Sequence, residues 1–356
     1  MSAIMRESLR RLAGSASEDG MESRRGNTRR VRVELLDGDY ISVDVDRKAR
    51  GGDLLDKVCI DLEITEVDYF GLLYTCRGDT RSWMNLERRL SKTFRNDPWE
   101  VRFAVKFYPP EPSGLRDDNT RYQLALAVRR DLLEGRLACS QITHALLASY
   151  ILQAELGDRE TRVDGARLAL LTVLPQTLAL DLEDQVDELY GKHRGQTPAE
   201  AELSYLENAK KLLLYGAELH SAKDSDDVDI ALAVSSRGVT ILRDGVPMNR
   251  FPWTMITKIS YKKRSFSLRL RPAECEEHET SLGFRLCSSR GCKKLWRCCV
   301  EFHIFFRRAA PVRVERVPGW PRLGRRHLSC RRTLRQLAPT APPHPPPPPP
   351  PMACAS

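Results

Sequence analysis

Apolar and polar positions alternate from Arg30 to Leu36 and again from Tyr40 to Val45, on either side of Asp37-Gly38-Asp39. That spacing predicts two strands joined by a hairpin whose turn chemistry comes from Asp-Gly. The period then lengthens: Leu54, Leu55, Val58 and Leu62 share one helical face, and Asp53 is placed to cap that helix. Further strands are expected over Phe70–Tyr74, Trp83-Met84 and Val101–Phe107.

Hairpin, helix, then strands is the order of a ubiquitin-like roll. Tyr108-Pro109-Pro110-Glu111-Pro112 breaks the last strand, because proline supplies no N–H to a ladder. The pattern turns helical over Arg121–Glu134, Cys139–Leu156, Leu178–Gly191 and Pro198–Leu214, with Ser140 and Thr197 as N-caps and Pro198 in a first turn. Beyond Tyr215-Gly216 strands return over Val228–Val234, Val239–Leu242, Ile256–Tyr261, Phe266–Leu270 and Ser281–Leu286. A helix over Cys292–Phe306 closes this region, with Leu295, Trp296, Cys299, Phe302 and Phe306 on one side. The order fits a seven-stranded sandwich of the pleckstrin-homology type. The class is therefore α+β and multi-lobe, divided as a disordered leader 1–29, lobes at 30–110, 111–214 and 215–308, and a disordered tail 309–356.

Composition narrows the function classes. The most apolar run, Leu168–Leu180, is interrupted by Thr172, Pro175, Gln176 and Thr177, short of the roughly 18 apolar residues that span a bilayer. The first thirty residues lack an apolar signal core, so synthesis in the cytosol is expected. None of the ten cysteines forms a Cys-x-x-Cys pair, which favours reduced thiols over zinc or disulfides. The net charge of +9 resides in one stretch, since 307–335 holds ten Arg and one acid, Glu315. The body before it is neutral, which argues against a broad phosphate-tracking surface and makes nucleic acid an unlikely partner.

No catalytic motif is present: Gly-x-x-x-x-Gly-Lys-Ser/Thr, His-Glu-x-x-His and Gly-x-Ser-x-Gly are all missing. Cys287-Ser288-Ser289-Arg290-Gly291-Cys292-Lys293 has a lysine where a phosphate-cradling cysteine loop needs a bidentate arginine. His220, His278 and His303 have no partners at metal-ligand spacing. A non-enzymatic chain without metal or cofactor is expected.

The residues carry a family resemblance. Asp68-Tyr69-Phe70-Gly71-Leu72 and Trp83-Met84-Asn85-Leu86 come first, then Gly135-Arg136-Leu137, the run from Tyr150 to Asp158, and Arg194-Gly195-Gln196-Thr197-Pro198. Tyr215-Gly216-Ala217-Glu218-Leu219-His220, Asn249-Arg250-Phe251-Pro252-Trp253, Lys258-Ile259-Ser260-Tyr261-Lys262 and the run from Lys293 to Glu301 follow. In this order, from Arg30 to about Arg308, the sequence resembles the FERM domains of the band 4.1 superfamily, and its third lobe looks most like the erythroid-type 4.1 proteins. The resemblance implies a cloverleaf of ubiquitin-like, acyl-CoA-binding-protein-like and PH/PTB-like lobes. It also implies an adaptor at the inner face of the plasma membrane, the cell cortex or junctions. Such an adaptor links cytoplasmic tails of transmembrane proteins, and membrane phosphoinositides, to the spectrin–actin cytoskeleton, directly or indirectly.

On that resemblance Ile256–Tyr261 borders a groove where an extended peptide adds as a strand. The expected groove residues are Ile256, Lys258, Ser260, Tyr261, Lys293, Trp296 and Arg297. Lys293 and Arg297 either face acidic groups of the tail or form a solvated helix face. Phe251, Pro252 and Trp253 are read as a buried turn that holds the strand. Lys262, Lys263 and Arg264 form a three-cation turn, suited to an inositol-lipid headgroup or simply solvated. Pro345–Pro351 is a polyproline segment for an SH3, WW or EVH1 partner, or part of an alternative terminus without a role. Two other functions stay open: a nucleic-acid-associated protein acting through the Arg-rich tail, and an isoform of a FERM-containing phosphatase without its catalytic domain.

Overall fold

The computed structural model describes residues 28–76, 78–95, 97–158, 181–272, 280–307 and 332–337. The expectations for the leader before Thr28, for Leu168–Leu180, for His278 and for Pro345–Pro351 lie outside these residues.

The first lobe is a five-stranded sheet in the order β2-β1-β5-β3-β4. Strands β1 (Thr28–Glu34) and β2 (Tyr40–Asp46) form the expected hairpin, and β1 runs parallel to β5 (Glu100–Val105). Strand β5 pairs with β3 (Phe70–Cys76), which pairs with β4 (Asp79–Trp83). Helix α1 (Gly51–Asp61) buries Leu54, Leu55 and Val58 against the sheet. Its N-cap is Arg50, not Asp53. Asp53 sits at the third helical position, where its carboxylate accepts the Arg50 N–H at 2.7 Å and still satisfies an end of the helix. A single helical turn, α2 (Leu90–Thr93), buries Leu90 in the same core.

Helices α3 (Asp118–Leu133), α4 (Gln141–Leu156), α5 (Glu183–Gly191) and α6 (Pro198–Ala209) form the second lobe. Ser140 and Thr197 cap α4 and α6, and Thr197 shares a capping box with Glu200. Helix α3 starts three residues before Arg121 because Asp117 caps it, accepting the Asn119 N–H. Helix α6 stops at Ala209, short of Leu214.

The third lobe is a seven-stranded sheet, β10-β11-β12-β6-β7-β8-β9, so β10 and β9 are its outer strands. Five match expected segments: β7 (Asp229–Ser235), β8 (Gly238–Arg243), β10 (Ile256–Lys262), β11 (Ser265–Leu270) and β12 (Thr280–Arg285). The other two are β6 (Glu218–Lys223) and β9 (Val246–Pro252). Their sequences hide them: β6 buries only His220 and Ala222, and β9 buries only Phe251. Phe251 and Pro252 therefore end a strand instead of forming a turn. Trp253 follows them, buried, with its indole N–H donating to the Ser235 carbonyl at 3.0 Å. Gly238 permits this pairing, because a Cβ there would strike the Phe251 carbonyl and its φ is +145°.

Helix α7 (Ser289–Arg307) closes the third lobe and buries Leu295, Cys299, Phe302, Phe305 and Phe306. It also receives the end of the first lobe. Phe107 stacks on Phe305 with ring centroids 4.2 Å apart and meets Phe302 and Phe306 edge-on. The proline-rich break is likewise a packed junction. The Tyr108 hydroxyl donates to Asp131 at 2.6 Å, and Tyr215 donates to the Pro109 carbonyl at 3.2 Å.

One expectation about the tail is corrected. Residues 332–337, assigned to a disordered tail, carry the helical turn α8 (Leu334–Leu337) and lie against the body, with Thr333 and Leu337 buried. Two apolar anchors and the guanidinium of Arg332 hold this segment despite the Arg-rich composition around it.

Candidate functional site

The hairpin of β10 and β11 turns at Lys263 and Arg264, and Lys263 takes a φ of +53°. Ser260 lies opposite Ser267 and Lys262 opposite Ser265, with the two serine hydroxyls 2.8 Å apart. Antiparallel pairing around a two-residue turn directs the backbone groups of Ser260 and Lys262 toward β11 and those of Ile259 and Tyr261 toward the outer side of β10. The indole N–H of Trp296, on α7, donates to the Ile259 carbonyl at 3.1 Å. The Tyr261 and Trp296 rings lie 5.3 Å apart. Ile259, Tyr261 and Trp296, each half-buried, thus line the seam where the outer side of β10 meets α7.

This geometry sorts the expected groove residues. Tyr261 and Trp296 meet at the seam between β10 and α7, with rings 5.3 Å apart. Ile256 is not at that seam, being buried in the core at 7% exposure. Lys258 and Ser260 stand on the opposite face from Ile259 and Tyr261, because a β-bulge between Ile256 and Lys258 shifts the alternation by one residue. Arg297 is also redirected: its Nε donates to Glu301 at 2.7 Å, so it is committed within the protein. Lys293 is exposed. Ile259 is the lining residue that the sequence reading left out, although its apolar i, i+2 relation to Tyr261 marks it.

Lys258, Lys262, Lys263 and Arg264 are exposed, and none forms an ion pair among the described residues. Lys262, Lys263 and Arg264 thus form a cationic turn at the end of β10.

Polar contacts also tie α7 to the first lobe. Glu301 is 6% exposed, receives the Lys106 ammonium at 2.8 Å and pairs with Arg297. Burial pushes its carboxyl pKa up, but the two cations outweigh that and hold it below the usual carboxylate range. Lys294 pairs with Asp79 at 2.9 Å. Trp83 donates its indole N–H to Glu218 at 2.8 Å, and the Cys298 thiol donates to the same oxygen at 3.5 Å. His220 Nε2 lies 3.5 Å from the other Glu218 oxygen without hydrogen-bond geometry.

Glu218, His220 and Cys298 are the described residues whose ligand atoms could gather on a metal, all within 4.8 Å of one another. The sequence reading saw no partner for His220; folding supplies two from other positions. Burial raises the Cys298 thiol pKa and lowers that of His220, which favours a thiol and a neutral imidazole in this knot. No helix among the described residues is long and apolar enough to cross a membrane.

Comparison with known proteins gives three consecutive family matches: the FERM N-terminal domain over residues 33–96, the FERM central domain over 110–220 and the FERM C-terminal PH-like domain over 224–313. The chain is 49% identical over 304 residues to the protein 4.1 homolog of Drosophila melanogaster, a match covering 85% of this chain and 18% of that protein. It is 45% identical over 289 residues to the human band 4.1-like protein 2, covering 81% of this chain and 29% of the relative. The chain therefore spans less than a third of the length of these relatives. Among solved structures, the complex of the FERM and C-terminal domains of Drosophila Merlin superposes with a TM-score of 0.70 at 27% identity, covering 78% of this chain and 96% of that one. The MyTH4-FERM domain of human myosin 7b, solved with the harmonin-a PDZ3 domain, shares the fold at 16% identity and a TM-score of 0.57, over 78% of this chain and 60% of that one.

Proposed function

The chain belongs to the FERM-domain proteins of the band 4.1 superfamily, and on that premise we propose that it is a non-enzymatic adaptor between membrane and cytoskeleton. It binds cytoplasmic tails of transmembrane proteins by adding them as a strand along β10. The observation that carries this reading is the outer position of β10 in the sheet, beside the half-buried Tyr261 and Trp296 rings. The backbone of β10 supplies affinity by strand pairing, and the Ile259, Tyr261 and Trp296 side chains select apolar residues. The exposed cations of the β10–β11 turn favour tails carrying acidic residues.

Lys262, Lys263 and Arg264 add contact with phosphoinositide headgroups. Each cation near an anionic surface contributes on the order of 1 kcal/mol, so the turn supports peripheral attachment without insertion. The same attachment places the chain at the inner face of the plasma membrane.

Two measurements on the whole chain test this. Hydrogen exchange is followed while a panel of tail peptides is titrated: protection along β10 increases, and a change confined to other surfaces refutes strand addition. Flotation with vesicles containing phosphatidylinositol bisphosphate tests the turn. Lys262→Glu/Lys263→Glu binds less than the unaltered protein, and equal binding refutes the lipid contact.

A further inference from the structure

The segment 332–337 meets the body at Asp68 and Arg116, a site separate from β10. Asp68 lies in the short 3-10 turn Val67–Tyr69, and its side chain is only 2% exposed. Both of its oxygens are taken by one residue: Oδ1 accepts the Arg332 backbone N–H at 2.9 Å, and Oδ2 accepts Arg332 Nε at 2.7 Å. Thr333 is wholly buried, and Gln336 Oε1 accepts its backbone N–H at 3.1 Å, which closes the turn on itself. Leu334 and Leu337 pack against the core, and the Leu337 carbonyl accepts from Arg116 at 3.2 Å. Arg116 precedes α3, so the segment touches groups from the first and second lobes and lies beside α7.

Six residues thus present a charge-assisted contact at one end, apolar anchors in the middle and a carbonyl contact at the other. Such an arrangement has the parts of a peptide-recognition site. We propose that the surface around Asp68 and Arg116 is a peptide-binding site, that Arg332–Leu337 is its resident ligand, and that residues 308–331 tether it. Because the ligand belongs to the same chain, its binding is intramolecular, which favours a filled site. When the resident is weakened, the vacated site takes the same sequence in trans. Its selectivity is for a cationic residue at that position, because Asp68 takes one backbone N–H and one charged side-chain N–H from Arg332.

The test uses the full chain. A fluorescent peptide of sequence 330–338 is titrated into the unaltered protein and into Arg332→Ala/Leu337→Ala, whose site is open. The double variant binds the peptide at least about tenfold more tightly than the unaltered protein, and adding Asp68→Asn removes that gain. Equal affinity for the first two proteins, or no binding to either, overturns the proposal and leaves the segment a fixed part of the fold. If the double variant does not fold, a site-specific protease sequence placed within 308–331 of the otherwise unaltered chain gives a second measurement. After cleavage, the C-terminal fragment leaves on dilution and returns on concentration. A fragment that never leaves, or that leaves and does not return, overturns the proposal.

Discussion

Replacing Lys106 by methionine removes the ammonium from Glu301 while keeping most of the side-chain volume. The pair is buried on both sides, with side-chain exposures of 10% and 6%, and its nitrogen–oxygen distance is 2.8 Å. Removing one partner of a buried pair costs about 3–5 kcal/mol, because the remaining charge stays desolvated. Arg297 continues to pair with Glu301 at 2.7 Å, which places the expected loss near about 3 kcal/mol. Lys106 follows β5 in the first lobe and Glu301 lies on α7 in the third, so the loss also loosens the two lobes against each other. Urea unfolding followed by tryptophan fluorescence and by circular dichroism measures the change, provided the two probes still coincide. The double variant Lys106→Met/Glu301→Leu recovers a large part of the loss, since neither charge then remains buried. A single variant within about 1 kcal/mol of the unaltered protein, or a double variant no better than the single, refutes the reasoning.

Three other outcomes follow from the same structure. Gly216→Ala places a methyl group against the Tyr108 ring at a φ of +61°, and a loss of about 2 kcal/mol or more is expected in thermal or urea unfolding. Tyr108→Phe takes one donor from Asp131, which keeps Arg136, so a smaller loss of about 1–2 kcal/mol is expected in the same measurement. Burial holds His220 below the ordinary histidine pKa, so the unfolded chain takes up a proton near pH 6.5 that the folded chain refuses. Its contribution is therefore complete above that pH and declines as pH falls toward the folded pKa. The slope is at most about 1.4 kcal/mol per pH unit, and His220→Gln flattens a plot of urea midpoint against pH between 7.5 and 5.5.

Local chemistry was legible wherever a short stretch of chain satisfies its own backbone. Ser140 and Thr197 cap their helices because each hydroxyl needs only an N–H three residues on. The β1–β2 hairpin follows from Asp37-Gly38-Asp39 for the same reason, and the ordered motifs carried the family. The Arg297 pairing also left a trace, since Glu301 stands four residues later on one helix face. What selected that pairing over an outward-facing arginine is Lys106, nearly two hundred residues away, whose approach fixes Glu301 in the interior.

Strands β6 and β9 escaped the sequence because few of their side chains are buried; neighbouring strands, not apolar periodicity, make them strands. The face of β10 was equally hidden. A period of two counted from Ile256 points Lys258 and Ser260 toward the helix, and one bulged residue turns Ile259 and Tyr261 there instead. Asp68 and Arg332 meet across more than 260 positions, a contact no window of sequence contains. The amino-acid sequence by itself determined the helices, the turns, the neutral body and the family, since these rest on near neighbours and composition. Only the tertiary structure decided which strands lie outermost in the sheet, which cations remain exposed and where the Arg332 segment docks. Those outcomes depend on which buried group reaches which partner once distant chain segments have been packed together.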